Sequence, residues 1–153
     1  MNAPPTMPEA ALAVAPIEDA DIEAVIALWQ RCGLIRPWND PAADIALARR
    51  GPNATILVGR DANAIAASVL VGHDGHRGWV YYVAVGPEHR QKGYGRAIMN
   101  AAEDWLRRAG IEKLQLMVRP GNEAVKTFYE TIGYGEQPRL IFAKWLDGRE
   151  LTP

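Results

Sequence analysis

The chain has 153 residues, 48% of them hydrophobic, a formal net charge of −1 and a single cysteine. That length suits one domain with one core, and the near-neutral charge argues against broad nucleic-acid binding, which needs a basic face. The lone Cys32 excludes an intramolecular disulfide and fits a reducing cytoplasm, and no apolar run approaches the about 20 residues that span a bilayer.

In chain order, MNAPPTMPEA has neither a basic nor an apolar segment of the secretory kind and reads as a disordered tail over residues 1–10. A single domain is expected over 11–147, with a short tail over 148–153. ALAVAPI reads as a first strand. DADIEAVIALWQRCG places Ile22, Val25, Ile26 and Trp29 on one helical face, with Gly33 to end it. LIRPWN is an irregular loop with Trp38 exposed. In NDPAADIALARRGP, Asp40 caps a second helix, Pro41 takes its first position and Gly51-Pro52 closes it.

ATILVGR and AIAASVLVG, separated by DAN, read as a hairpin. HDGHRG is a second turn. WVYYVAV is apolar enough for a central strand covered on both faces. RAIMNAAEDWLRRAG is a helix with Ile98, Ala101, Ala102, Trp105 and Ala109 on its apolar face. KLQLMVR alternates like a strand. NEAVKTFYETIG is a helix with Val125, Phe128, Tyr129 and Ile132 on one side, and RLIFAKWL is a last strand. The strand–helix–strand crossover from Trp79 to Arg119 requires a parallel pair, while the other strands are free to pair antiparallel. The expected fold is a mixed α/β sheet with helices on both faces.

The stretch HRQKGYGRA lies between the WVYYVAV strand and the following helix. The first amides of a helix have no partners inside it, and the positive end of the helix dipole lies there. Gly93 and Gly95 let a phosphate approach the backbone, and Arg90, Lys92 and Arg96 add neutralising charge. A dinucleotide fingerprint would need a glycine where Ile98 stands, and a Walker A loop would need Gly-Lys-Ser/Thr where the chain has Lys92-Gly93-Tyr94.

VAVGPEHRQKGYGRAIM resembles the acetyl-CoA signature of the GNAT superfamily of N-acetyltransferases, with Arg90-Gln91-Lys92-Gly93-Tyr94-Gly95 as its core. NEAVKTFYETIGY is similar to the family's second motif, with Val125 where alanine is common. GHDGHRGWVYYVAV further resembles the small stand-alone YpeA-type bacterial members. The resemblance implies a GNAT-like sheet, mostly antiparallel, with a central parallel pair of strands that splay. It implies acetyl-CoA as cofactor, held at its pyrophosphate by backbone amides from Gln91 through Lys92, Gly93, Tyr94 and Gly95 to Arg96. The backbone of Val83 and Val85 would pair with the pantetheine arm, Asn122 would reach the cofactor, and Tyr129 would stand near the thioester sulfur.

Acetyl transfer to an amine needs a deprotonated amine, a polarised carbonyl and a proton for the departing thiolate. A strand amide freed by a bulge serves the second need, with Val85 the natural donor. The Tyr129 hydroxyl serves the third. For the first, neither WVYYVAV nor KLQLMV contains a carboxylate, which leaves Tyr81, Tyr82, a loop histidine or a chain of waters. Trp38 is the candidate wall of an acceptor pocket, with Tyr81 and Tyr82 beside it.

His73, Asp74 and His76 have no third partner nearby and read as a solvated turn, so no metal is expected. Cys32, Trp29 and Trp105 read as packing. The expected activity is transfer of acetyl from acetyl-CoA to a primary amine by direct attack in a ternary complex, in a cytoplasmic monomer or homodimer. The acceptor would be a small molecule or a protein. The alternative is a CoA-binding sensor or partner-binding module with little turnover; a nucleotide binder is a third reading.

Overall fold

The computed structural model describes residues 12–153; the expected tail over residues 1–10 and the first residue of the ALAVAPI strand lie outside them. The chain divides into two compact units, Met1–Met117 and Val118–Pro153.

The first unit begins with β1 (Ala13–Pro16), followed by α1 (Ile22–Arg31) and α2 (Pro41–Arg49). The expected helix signals act as read. Asp40 Oδ1 accepts the Ala43 amide at 3.1 Å, and Gly33, at φ +67°, turns the chain out of α1. Then come β2 (Ala54–Asp61), β3 (Ala64–His73), β4 (Gly78–Val85), α3 (Tyr94–Arg108) and β5 (Leu114–Gln115). The sheet order is β1-β2-β3-β4-β5. The first three pairings are antiparallel and β4–β5 is parallel, as the crossover requires.

On one face of the sheet, Val25, Leu28 and Trp29 of α1 and Ile45 and Ala48 of α2 bury against Ile56, Val58 and Ala84. Strand side chains alternate between faces, so Leu57, buried between Ile56 and Val58, points to the other face. The helix α3 packs on β2, β3 and β4. Its buried stripe is Tyr94, Ile98, Met99, Ala102 and Leu106. This corrects the expected stripe: Ala109 is exposed and Trp105 only half-buried. The helix approaches the sheet closely at Gly78, where a Cβ would collide with the Leu106 side chain. The buried row Tyr94, Ile98, Ala102 and Leu106 runs at four-residue spacing, so Trp105 falls at its margin, and Ala109 is the C-cap residue beyond the last turn.

Two strand expectations change as well. KLQLMVR pairs only through Leu114 and Gln115, opposite Gly78 and Trp79. Beyond Trp79, therefore, β4 is bordered by β3 alone among the described residues, and Tyr81 is exposed rather than covered.

The second unit holds α4 (Glu123–Thr131), closed by Gly133 at φ +102°. None of its helical residues is fully buried, and Val125 is exposed. The expected strand over residues 139–146 does not form among the described residues. Its composition suits a strand, but a strand exists only with a partner for its backbone groups, and this segment has no ladder. Leu140, Phe142 and Leu146 are exposed there.

Candidate active site

The glycine turn runs from a short 3-10 turn at Pro87–His89 to the first residue of α3. Gln91 has φ +64° and Gly93 φ +79°, with Lys92 between them. Left-handed residues set among right-handed or extended ones turn successive amides to one side, forming a concavity for an anion. For glycine this conformation is free of strain, whereas Gln91 adopts it at a cost of about 1–2 kcal/mol. Ala97 N donates to Gly93 O at 3.1 Å as the first helical bond, so the amides of Tyr94, Gly95 and Arg96 have no partner earlier in the helix. An ideal Cβ on Gly93 would meet nothing within 4 Å, which leaves the space over the turn open.

The cationic side chains do different things. Arg90 and Arg96 are exposed. Lys92 Nζ bonds Asp61 Oδ2 at 3.1 Å. Tyr94 points into the core, 2% exposed, and its hydroxyl donates to the same Oδ2 at 2.7 Å. The Tyr94 and Lys92 hydrogen bonds hold the Asp61 carboxyl below the usual carboxylate range. Nothing in the sequence marked Asp61, a turn acid outside both motifs.

The second construction is a bulge in β4. Ser68 pairs with Ala84 and Leu70 with Tyr81, so β4 carries one residue more than β3 over this interval. Tyr82 sits in the bulge at φ +52°. Ser68 Oγ donates to Tyr82 O at 2.9 Å and accepts Trp29 Nε1 at 2.8 Å. Trp29 and Tyr82 also stack, and Tyr82 Oη donates to Asp44 Oδ2 at 2.6 Å.

The bulge reverses which amides face which edge. Before it, Gly78 N donates to Lys113 O; after it, Gly86 N donates to Ala66 O on the β3 side. Amides alternate along a strand, so Ala84 N–H points toward β3 and those of Val83 and Val85 point to the other edge. That edge has no strand beside it past Trp79 among the described residues. Cys32 Sγ approaches Val85 O at 3.3 Å. Burial pushes the Cys32 thiol up, with Arg90 and Arg31 opposing, so the sulfur is the donor in that contact.

Of the candidate bases, Tyr82 is committed elsewhere: burial and its bond to Asp44 push the phenol far above its ordinary range. Burial also raises Tyr81. Neither loses its proton at neutral pH. Trp38 is 41% exposed, in the loop between α1 and α2. Asp74 spends Oδ1 on the amides of His76 and Arg77 and Oδ2 on Trp79 Nε1, which closes the turn internally. Among the described residues no group of three or more His, Cys, Asp or Glu is gathered for a metal.

In the second unit, Asn122 occupies the N-cap of α4 without a side-chain capping bond. Capping alone therefore does not account for it. Tyr129 lies edge-on to Phe128 and Tyr134, at centroid distances of 5.0 and 5.8 Å. Burial raises its phenol to about 12.

The model of the acetyltransferase (GNAT) family matches residues 21–134. Acetyltransferase YE1169 of Yersinia enterocolitica is 40% identical over 129 residues, covering 84% of this chain and 92% of that protein. Among solved structures, AAC(6')-Iy in complex with the bisubstrate analogue CoA-S-monomethyl-acetylneamine superposes with a TM-score of 0.75 at 16% identity, over 88% of this chain and 98% of that one. The ribosomal-protein-S18-alanine N-acetyltransferase of Escherichia coli gives 0.71 at 24% identity, over 91% and 88%. These two likenesses show the fold; the family rests on the match over residues 21–134 and on the 40% identity. A sensor without turnover is not favoured beside a relative named an acetyltransferase, and no described helix is long and apolar enough to cross a membrane. With the glycine turn, the β4 bulge and the sheet order in agreement, the chain belongs to the GNAT family and is an acetyl-CoA-dependent N-acetyltransferase.

Proposed function

We propose that acetyl-CoA lies with its pyrophosphate on the amides from Gln91 to Arg96 and its pantetheine arm along Val83 and Val85. The observation that carries this is the pair of left-handed residues, Gln91 and Gly93, set immediately before the free amides of α3. Arg90 and Arg96 add charge from the surface, while Lys92 is already neutralised by Asp61. Asn122, whose side chain makes no cap bond, contacts the cofactor.

The acceptor is a primary amine, of a small molecule or of a protein, and it attacks the thioester directly while both substrates are bound. The Val85 amide donates to the carbonyl oxygen as negative charge develops there; loss of such a donor typically costs 10²–10³-fold. Nitrogen forms its bond to the acetyl carbon and sheds its extra proton to water, the carbon–sulfur bond breaks, and the electron pair leaves on the CoA sulfur. Tyr129 meets that sulfur as a neutral donor. Full proton transfer from a phenol near 12 to a thiolate whose thiol sits near 8.5 is uphill by roughly 5 kcal/mol. The hydroxyl therefore stabilises the thiolate by a hydrogen bond, and the thiol takes its proton later from solvent.

With both β4 tyrosines held protonated, the proton of the incoming ammonium leaves through water. Trp38 walls the acceptor pocket, and Tyr81 lies on the acceptor side. The reaction runs in the cytoplasm, in a monomer or homodimer.

Calorimetric titration with CoA, followed by transfer assays over a panel that includes aminoglycosides and an N-terminal alanine peptide, tests the reading. Acetyl-CoA at 100 times its dissociation constant should stabilise the fold by about 2.7 kcal/mol. Absence of any heat or thermal shift at saturating CoA would sink it.

A further inference from the structure

The glycine turn is tied from outside itself. We propose that Asp61, at the end of β2, is a positioning residue for the cofactor turn, acting through the Tyr94 hydroxyl. Two side chains of the turn bond one oxygen, Asp61 Oδ2, Tyr94 Oη at 2.7 Å and Lys92 Nζ at 3.1 Å, and His89 Nδ1 lies 3.5 Å from it. His89 Nδ1 is buried and has no hydrogen-bond partner. Asp61 thus fastens Lys92, between the two left-handed residues, and Tyr94, the first residue of α3, to the end of β2.

Removing Asp61 has two opposed effects. It frees the Lys92 cation for a phosphate, and it releases Tyr94 from the first turn of α3. Lys92 is 42% exposed, and exposed ion pairs contribute little. The Tyr94 bond joins a buried hydroxyl to a charged carboxylate, a stronger class of hydrogen bond. Release of the turn therefore outweighs the freed charge, and cofactor affinity falls.

The proposal rests on the acetyl-CoA reading of the turn, so the wild type is titrated first. Asp61→Ala and Tyr94→Phe are each expected to raise the CoA dissociation constant about tenfold, the size of a lost charge-assisted hydrogen bond. The double variant should be no more than about twofold weaker than the weaker single, because both delete one link. The KM for acetyl-CoA should rise in parallel while kcat at saturating acetyl-CoA holds. A tie that serves only folding predicts a lower Tm with unchanged CoA affinity. Wild-type affinity in folded Asp61→Ala or in Tyr94→Phe, or full additivity in the double variant, overturns the proposal while the acetyl-CoA reading stands. A wild type that fails to bind CoA overturns both.

Discussion

The Trp29 indole lies flat against the Tyr82 ring, with centroids 3.8 Å apart and planes 7° from parallel, while its Nε1 donates to Ser68 Oγ. Ser68 in turn holds the Tyr82 carbonyl. One buried indole therefore fixes both the side chain and the backbone of the residue that turns β4 inside out.

Ser68→Ala tests this clamp. It leaves a buried Trp29 donor and the Tyr82 carbonyl unpaired, at a cost of about 1–3 kcal/mol. Scanning calorimetry should show a Tm drop of about 2–10 °C. Because the bulge aims the Val85 amide, kcat should fall about tenfold, short of the 10²–10³ that a fully lost oxyanion donor costs. A lower Tm with wild-type kcat would mean that the bulge does not orient the catalytic amide.

Gly93→Val probes the turn. The substituted Cβ meets no neighbour, so the ligand-free fold should lose only the about 1–2 kcal/mol of a left-handed non-glycine residue. The space it fills is where the pyrophosphate must approach, and CoA affinity should fall at least tenfold in titration. Gly93→Asn, which tolerates the same backbone, should show a smaller folding cost and a similar loss of affinity. Normal CoA binding by folded Gly93→Val would show that the turn does not cradle phosphate.

Much of this was readable before folding. Caps at Asp40 and Gly33 act locally, and the parallel β4–β5 pair follows from the crossover. The glycine turn was legible because glycine spacing and position ahead of a helix are local facts. The bulge clamp was not, since Trp29 and Ser68 are 39 residues apart and each alone reads as an ordinary interior or strand residue. Asp61 was missed for the same reason: its partners lie 31 and 33 residues on. The last strand failed because apolar and aromatic content describes a willingness to pair, and pairing needs a partner.

Acid stability has a named contributor. Burial pushes the Asp21 carboxyl up, but the Glu18 amide at 2.9 Å and the Arg60 guanidinium outweigh it and hold it below 3.8. A carboxyl depressed in the fold stabilises it above the unfolded value and loses that contribution as pH falls through the folded one. Wild-type Tm should therefore drop as pH is lowered below about 4. Asp21→Asn should start lower at pH 7 and fall less steeply. Parallel Tm curves for the two proteins would remove Asp21 from the acid transition.

Tyr129→Phe separates catalysis from binding and from packing. The phenylalanine keeps the ring and its edge-on contacts with Phe128 and Tyr134, so the fold should be unaffected. One hydroxyl contact is worth about 1 kcal/mol in the ground state, and the KM for acetyl-CoA should move little. The developing thiolate is charged, so a donor there contributes more in the transition state than in the ground state. A positioned acid gives about 10²–10⁴-fold. A phenol raised to about 12 donates a hydrogen bond without surrendering its proton, which places the expected loss in kcat at the lower end, about 10²-fold. Its pH dependence follows: with the phenol neutral throughout, kcat should show no loss from Tyr129 ionisation up to about pH 10, well below that value. Unchanged kcat in Tyr129→Phe, measured with any amine the wild type accepts, would leave the ring as packing and assign stabilisation of the thiolate to water.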